Sequence, residues 1–356
     1  MKGIAKKLVL RMLKSLAKRR MKRFRGKVIG VTGSIGKTST KEAIYTVLNS
    51  RYKVRKNRKS MNSDFGLLLT ILDIESGFTS ATKWSWYLLK GFWHSLWRDH
   101  SEVLLLEMGV DAPGDMDFLL SVVKPDIAVL TGVSYTHLDE GQFASPEAVF
   151  AEKRKLIDAL KEGGKAVLGT DNDYCRKLAK ELKKKRVLSY GTDRDDDFWA
   201  SQIKQSLEGT DFVLHHDNKR YEVKAPVLGA YQVQVMLPAI ICGSLMGIEI
   251  EDACEALKRF ELPPGRMSVI TAMNEAIILD SSYNSSPVAL EAALDLLKEL
   301  GEKHRKVAVL GNMNELGSLA AQLHEKVGEK VPGAVDLLLT VGKNAGLIAE
   351  AARAKG

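Results

Sequence analysis

Three observations predict an α/β protein with a mostly parallel, doubly wound sheet, followed by a smaller, Rossmann-like α/β domain. Short apolar, β-branched runs alternate with helix-like runs over most of the 356 residues. A glycine-rich turn, Gly33-Ser34-Ile35-Gly36, joins the first of these runs to the first helix of the series, and Leu262-Pro263-Pro264-Gly265 breaks the chain into two such series. In the first series, strand-like runs at 28–32, 103–107, 126–131, 165–169 and 186–190 alternate with helix-like runs at 38–49, 65–73, 115–122, 147–161 and 172–185. Residues 191–228 change character. The acidic Asp195-Asp196-Asp197, short alternating pieces and an Asp217-Asn218 turn predict a small antiparallel excursion before a helix around 232–247. In the second series, strands at 276–280, 306–310 and 336–341 precede helices at 287–300, 318–330 and 344–354. The expected divisions are a helical arm at 1–27, a central domain at 28–264 and a C-terminal domain at 265–356.

Composition narrows the class. A hydrophobic content of 45% and a charged content of 27% suit a soluble globular protein. The net charge of +9 is concentrated at one end: residues 1–27 carry twelve Lys or Arg and no carboxylate, leaving 41 basic against 44 acidic residues elsewhere. Cys175, Cys242 and Cys254 have neither paired nor metal-ligand spacing, which suits a reducing cytoplasm. No apolar run reaches the length of a membrane span, and no signal peptide is expected.

In the arm, Ile4, Leu8, Met12 and Leu16 recur every four residues, with Leu13, Ala17 and Met21 near the same face and Lys6, Lys7, Arg11, Lys14, Lys18, Arg19 and Arg20 around them. This predicts a basic amphipathic helix suited to an anionic membrane surface, at the inner face of the membrane. A plain structural helix is the competing reading. Nucleic acid ranks last, because Phe24 is the only aromatic available for stacking. Trp84, Trp86, Trp93 and Trp97 hold four of the five tryptophans and are expected to form a core face rather than an interfacial belt.

The segment Val28-Ile29-Gly30-Val31-Thr32-Gly33-Ser34-Ile35-Gly36-Lys37-Thr38-Ser39 orders a strand, a glycine turn and a helix N-terminus. In that order backbone N–H groups and the helix dipole face an anion, Lys37 adds a point charge, and the Thr38 hydroxyl is placed to hold Mg²⁺. ATP is therefore the expected ligand, with Gly33, Ser34, Gly36, Lys37, Thr38 and Ser39 as its cradle. Lys-Thr in place of a third glycine argues against a dinucleotide oxidoreductase.

The spacing T-G-x-x-G-K-T-S, with Val31 where the common phosphate loop has glycine, resembles the ATP loop of the Mur ligase and folylpolyglutamate synthetase superfamily. Four more motifs follow in the Mur ligase order: Glu107-Met108-Gly109, Thr136-His137-Leu138, Lys153 on a helix, and Pro264-Gly265-Arg266 leading into Asp280-Ser281-Ser282-Tyr283-Asn284. Gly311-Asn312-Met313-Asn314-Glu315-Leu316-Gly317 closes the set, which looks most like the branch that adds D-alanyl-D-alanine to a muramyl tripeptide. The resemblance implies an ATP-dependent carboxylate–amine ligase of peptidoglycan synthesis that works through an acyl phosphate. It places Thr38 and Glu107 on a first Mg²⁺ and His137 on a second. Lys153 matches a lysine carried as a carbamate, and Arg266, Asp280 and Asn284 would clamp ATP from the last domain. Asn62 and Asp64 fall on a substrate-side loop.

The sequence also departs from the pattern. Only 27 residues precede the loop strand, so the family's UDP-sugar domain is expected to be absent, and the last domain is expected to be shortened. Tyr231-Gln232 and Val235 replace residues usual on the adenine side, Asn312 replaces a common Asp, and Ser281 follows Asp280. Two further readings stand beside the first: a Mur-like ligase for another acidic acceptor, of the folylpolyglutamate or poly-amino-acid type, and a non-catalytic nucleotide-binding subunit at a membrane.

Overall fold

The computed structural model describes residues 3–57, 63–76, 80–97, 99–182, 186–300 and 304–356. Helix α1 (Gly3–Met21) leads into strand β1 (Lys27–Thr32), the glycine turn and α2 (Lys37–Leu48). Then come β2 (Val54–Lys56), α3 (Asp64–Leu72), α4 (Ala81–Leu96), β3 (Val103–Glu107), α5 (Asp115–Leu120) and β4 (Ile127–Leu130). The series closes with α6 (Pro146–Asp158), β5 (Lys165–Gly169), α7 (Asp173–Glu181) and β6 (Val187–Gly191). Three strands follow, β7 (Phe198–Ser206), β8 (Gly209–His216) and β9 (Lys219–Ala225), and then helices α8 (Val233–Leu245) and α9 (Ile250–Leu257).

These nine strands form one sheet in the order β2-β3-β1-β4-β5-β6-β7-β8-β9. Pairing is parallel from β2 through β7 and antiparallel through β8 and β9. The central strands are buried on both faces, and for that reason they read as unbroken apolar runs. Successive residues feed opposite cores: Ile29 and Val31 pack with Ile44, Met236 and Ile240 of α2 and α8, whereas Val28 packs with Leu68, Leu104 and Leu156 on the other side.

The chain continues as β10 (Ser268–Thr271), β11 (Ile277–Asp280), α10 (Pro287–Leu300), β12 (Val307–Gly311), α11 (Ala320–Gly328), β13 (Leu337–Val341) and α12 (Ala345–Lys355). Its own core gathers Leu290, Leu294, Leu323, Val327 and Ile348. β12 and β13 pair in parallel, but β11 pairs antiparallel with β10. Proline and the positive-φ Gly265 turn the chain just ahead of β10, so the preceding segment folds back as the nearest partner for β11.

Two expectations about apolar stripes change. In α1 the buried side is Leu13, Ala17 and Arg20, and Leu8 and Met12 face outward. Of the tryptophans on and beside α4, only Trp84 is buried, against Phe65; Trp86, Trp93 and Trp97 are exposed. Helical spacing identifies a stripe but not which side of the helix the body of the protein covers.

Arg20 is buried because it is paired. Its guanidinium donates to the Leu72 carbonyl at 2.7 Å and to Asp99 Oδ2 at 3.1 Å, and Arg55 reaches the same oxygen at 3.1 Å. Burial pushes the Asp99 carboxyl up, but the Ser101 amide and the two guanidiniums outweigh it and hold it low. Asp99→Asn would leave two guanidiniums short of their counter-charge, and should cost about 3 kcal/mol in urea unfolding. A group held low when folded stabilises above its unfolded value. The wild-type advantage over Asp99→Asn should thus be full well above the ordinary 3.8 and shrink as pH falls below it.

Candidate active site

The glycine turn is a backbone cradle fixed by its neighbours. Gly33 has φ +151° and Gly36 φ +76°, and a Cβ at Gly33 would lie 2.0 Å from Thr131 Oγ1. Ser34 N–H donates to the Gly132 carbonyl at 2.7 Å, and Thr131 Oγ1 donates to the Ile35 carbonyl at 2.6 Å. Gly36 caps α2 without any side-chain acceptor, so the first amides of that helix keep their capacity for an anion. Lys37 Nζ folds back to the Ser34 carbonyl at 3.3 Å. Burial pushes its ammonium down against the pull of Glu107, and the charge of Arg266 pushes it down further. Ser39 is buried behind the turn.

Parallel pairing sets Val31 of β1 opposite Glu107 of β3, and this register brings the carboxylate to the start of α2. Thr38 Oγ1 donates to Glu107 Oε1 at 3.0 Å. Lys41, one turn further along α2 and fully buried, donates to Glu107 Oε2 at 3.3 Å. The Glu107 amide donates to Asn57 Oδ1 at 2.6 Å. Thr38 and Glu107 thus present one hydroxyl and one carboxylate oxygen at a single point. Among the described residues no group of three or more His, Cys, Asp or Glu side chains forms a metal cage. Two hard oxygens beside a phosphate cradle fit Mg²⁺, which keeps waters and takes phosphate oxygens as further ligands.

Lys153, on α6, is fully buried, and among the described residues its Nζ has no hydrogen-bond partner. Burial lowers its pKa well below the usual lysine value, Lys37 adds to the shift, and Asp111 and Glu152 oppose it. Its charged form is therefore disfavoured, and it stands within electrostatic reach of Lys37. Glu152 beside it accepts the amides of Gly114 and Met116 at 3.0 and 2.8 Å and caps α5.

His137 has φ +61°. Its Nδ1 lies 2.8 Å from Glu315 Oε2 and 3.7 Å from Asp111 Oδ1. The His137 ring holds the Glu315 carboxyl low against burial. Leu138 N–H donates to the Glu315 carbonyl at 2.9 Å, and Gly317 N–H to Asp139 Oδ1 at 3.0 Å. The segment after β12 is therefore seated on residues 137–139. Arg266 stacks 4.3 Å from the centre of the Tyr283 ring.

Lys37, Thr38, Glu107, Lys153, His137 and Arg266 thus converge around the turn. Asp280 and Asn284 instead make local bonds, to the amides of Ser282 and Ser285. Asp64 starts α3; burial and Asp115 push its carboxyl up, while Lys14 and Lys6 oppose, which places it on the α1–α5 side. Asn62 lies outside the described residues. Sequence reasoning gave no role to Lys41, Asn57, Asp111 or Glu315. Glu315 stood inside a quoted motif, and Lys41 stood four residues after Lys37, but neither spacing shows a partner far away in the chain.

Comparison with known proteins adds a family. The description "Mur ligase middle domain" matches residues 31–243, and "Mur ligase, glutamate ligase domain" matches residues 265–356. The UDP-N-acetylmuramoyl-tripeptide–D-alanyl-D-alanine ligase of Bacillus subtilis (strain 168) is 31% identical over 341 residues, covering 96% of this chain and 68% of that one. The MurF ligase of Thermotoga maritima, solved in complex with ADP, superposes with a TM-score of 0.80 at 27% identity, covering 95% of this chain and 72% of that one. MurF from Acinetobacter baumannii shares the fold, with a TM-score of 0.81 at 23% identity over 95% of this chain and 69% of that one. The chain spans about two thirds of the length of the relatives it matches.

Two outcomes follow from the geometry. Gly33→Ala would drive a Cβ into Thr131 and strain the backbone, so ADP affinity measured by calorimetry should fall at least roughly tenfold. Lys153→Met should keep or raise stability at pH 7 by roughly 1–3 kcal/mol, because the wild type buries an unpaired polar nitrogen. The folded amine gives up its proton more readily than the unfolded one. Wild-type stability should therefore rise with pH up to the ordinary 10.5, and urea unfolding of the methionine variant should lack that part of the rise.

Proposed function

The chain belongs to the Mur ligase family, and from that premise we propose that it joins D-alanyl-D-alanine to a muramyl tripeptide at the expense of ATP. The observation that carries the reading is the meeting of Thr38 and Glu107 at 3.0 Å beside Lys37 and the uncapped start of α2. In the proposed reaction a carboxylate oxygen of the tripeptide attacks the γ-phosphorus, and ADP leaves. The neutral dipeptide amine then attacks the acyl carbon; the new C–N bond forms as the C–O bond to phosphate breaks, inorganic phosphate leaves, and the nitrogen gives up a proton to it or to solvent.

This chain's part is to bring two anions together and keep water out. The turn amides and Lys37 hold the phosphates, and Arg266 adds charge from the last domain. Thr38 and Glu107 would hold Mg²⁺, which would supply charge neutralisation at the phosphates. Lys153, whose charged form burial disfavours, is the amine that would be carried as the carbamate implied by the resemblance. His137, with Asp111 and Glu315 beside it, is the candidate second metal position. Asp280 and Asn284 join the ATP clamp in this reading, and Asp64, with Asn62, the acceptor side. The setting is the cytoplasm, with the basic arm at residues 1–27 against the anionic inner face of the membrane.

The test is phosphate release with ATP, UDP-muramyl-tripeptide and D-alanyl-D-alanine. Release should need both acceptor and dipeptide, fall to background on chelation of Mg²⁺, and drop at least about a hundredfold in Lys37→Ala. Release indifferent to acceptor and dipeptide would sink the assignment.

A further inference from the structure

Helix α4 turns two sides to two environments. Trp84, Gly91 and Ser95 are buried against the body of the protein. On the other side Trp86 is 63% exposed, Leu89 51% and Trp93 52%, and Trp97 just beyond the helix is 69% exposed. These positions follow one another at three- and four-residue steps, so the side chains form one stripe along the outside of the helix. A helix seated on a soluble domain normally places polar groups there, and an exposed apolar stripe of this size marks a contact surface.

What covers it is indicated by charge. Helix α1 packs alongside α4, and Arg23 Nη1 donates to the Ser95 and Leu96 carbonyls at the end of α4, at 3.0 Å each. On α1, Leu8 and Met12 also face outward, and Arg11, Lys18, Arg19 and Lys22 are exposed. Residues 1–27 hold twelve cations and no carboxylate; residues 80–97 hold Lys83 and Lys90 and again no carboxylate. A second copy of the chain would set this positive field against itself. A layer with anionic groups outside and hydrocarbon beneath complements both features at once, and tryptophan suits that boundary. Among the described residues no helix is long and apolar enough to cross a membrane, so the contact lies along the surface.

We propose that α1 and α4 form a docking face for an anionic lipid bilayer, in which Trp86, Leu89, Trp93 and Trp97 enter the headgroup boundary while the cations of α1 meet lipid phosphates. The inference rests on the membrane reading of the basic arm and adds the apolar half of the contact, on a helix far from the arm in sequence.

The full chain is sedimented with phosphatidylcholine vesicles made with and without phosphatidylglycerol. Two variants accompany it: Trp86→Ser with Trp93→Ser, and Lys18→Gln with Arg19→Gln and Lys22→Gln. The wild type should bind only the anionic vesicles, less at high salt, with tryptophan emission moving to shorter wavelength. Both variants should lose roughly tenfold or more in binding, and the serine variant most of the emission shift. Phosphate release without vesicles should be unchanged in both. Wild-type binding by the serine variant, with binding lost in the glutamine variant, would overturn the inference and leave the arm reading standing. No binding of the wild type would overturn both. A sedimenting dimer that the serine changes dissolve would reassign the stripe to self-association.

Discussion

The site is built around one buried carboxylate. Glu107 is 1% exposed, and a carboxylate that deep must be paired or protonated. Lys41 supplies the charge, Thr38 a hydroxyl, and Asn57 accepts from the residue's amide. Meeting those demands fixes three elements at once: the end of β3, the first turn of α2 and the end of β2. Lys41 and Thr38 are one turn apart on α2, so both reach the same carboxylate from one helix face. The glycine turn precedes them directly, and its position follows from theirs.

Around that fixed point lie two lysines, Lys37 and Lys153, whose charged forms burial disfavours. Lys153 stands in the field of Lys37, and among the described residues it has no hydrogen-bonding partner to offset its desolvation. The far side is closed by a loop-to-loop contact. His137 and Glu315 both adopt left-handed backbone conformations, and their side chains and backbones hold the segment after β12 against residues 137–139. Backbone strain at two facing residues is the mark of a position determined by its surroundings.

Charge is partitioned in the same spirit at the scale of the whole chain. Outside residues 1–27 the balance is 41 basic to 44 acidic residues, so the body is near neutral and the arm carries the field. Arg20 leaves that field and enters the core, where Asp99 and the Leu72 carbonyl receive it. With buried Leu13 and Ala17 and the Arg23 bonds to the end of α4, it anchors the arm to the body, while Lys18, Arg19 and Lys22 stay in water.

The sequence by itself determined what is local. Strand and helix periodicity, the antiparallel excursion at 191–228 and the glycine turn with Lys37 and Thr38 are encoded within a few residues each, by sterics and by the period of side-chain placement. A family resemblance carried Glu107, His137, Lys153 and Arg266, because an ordered set of motifs keeps information that single residues lack. Tertiary structure decided the rest. Parallel register brought Glu107 to Thr38 across 69 positions, and packing alone revealed Lys41 and Asn57 as its supports and Glu315 as the partner of His137. It also reversed the reading of the tryptophans on α4: spacing gives the stripe, but whether a stripe is core or surface depends on which side the rest of the protein covers.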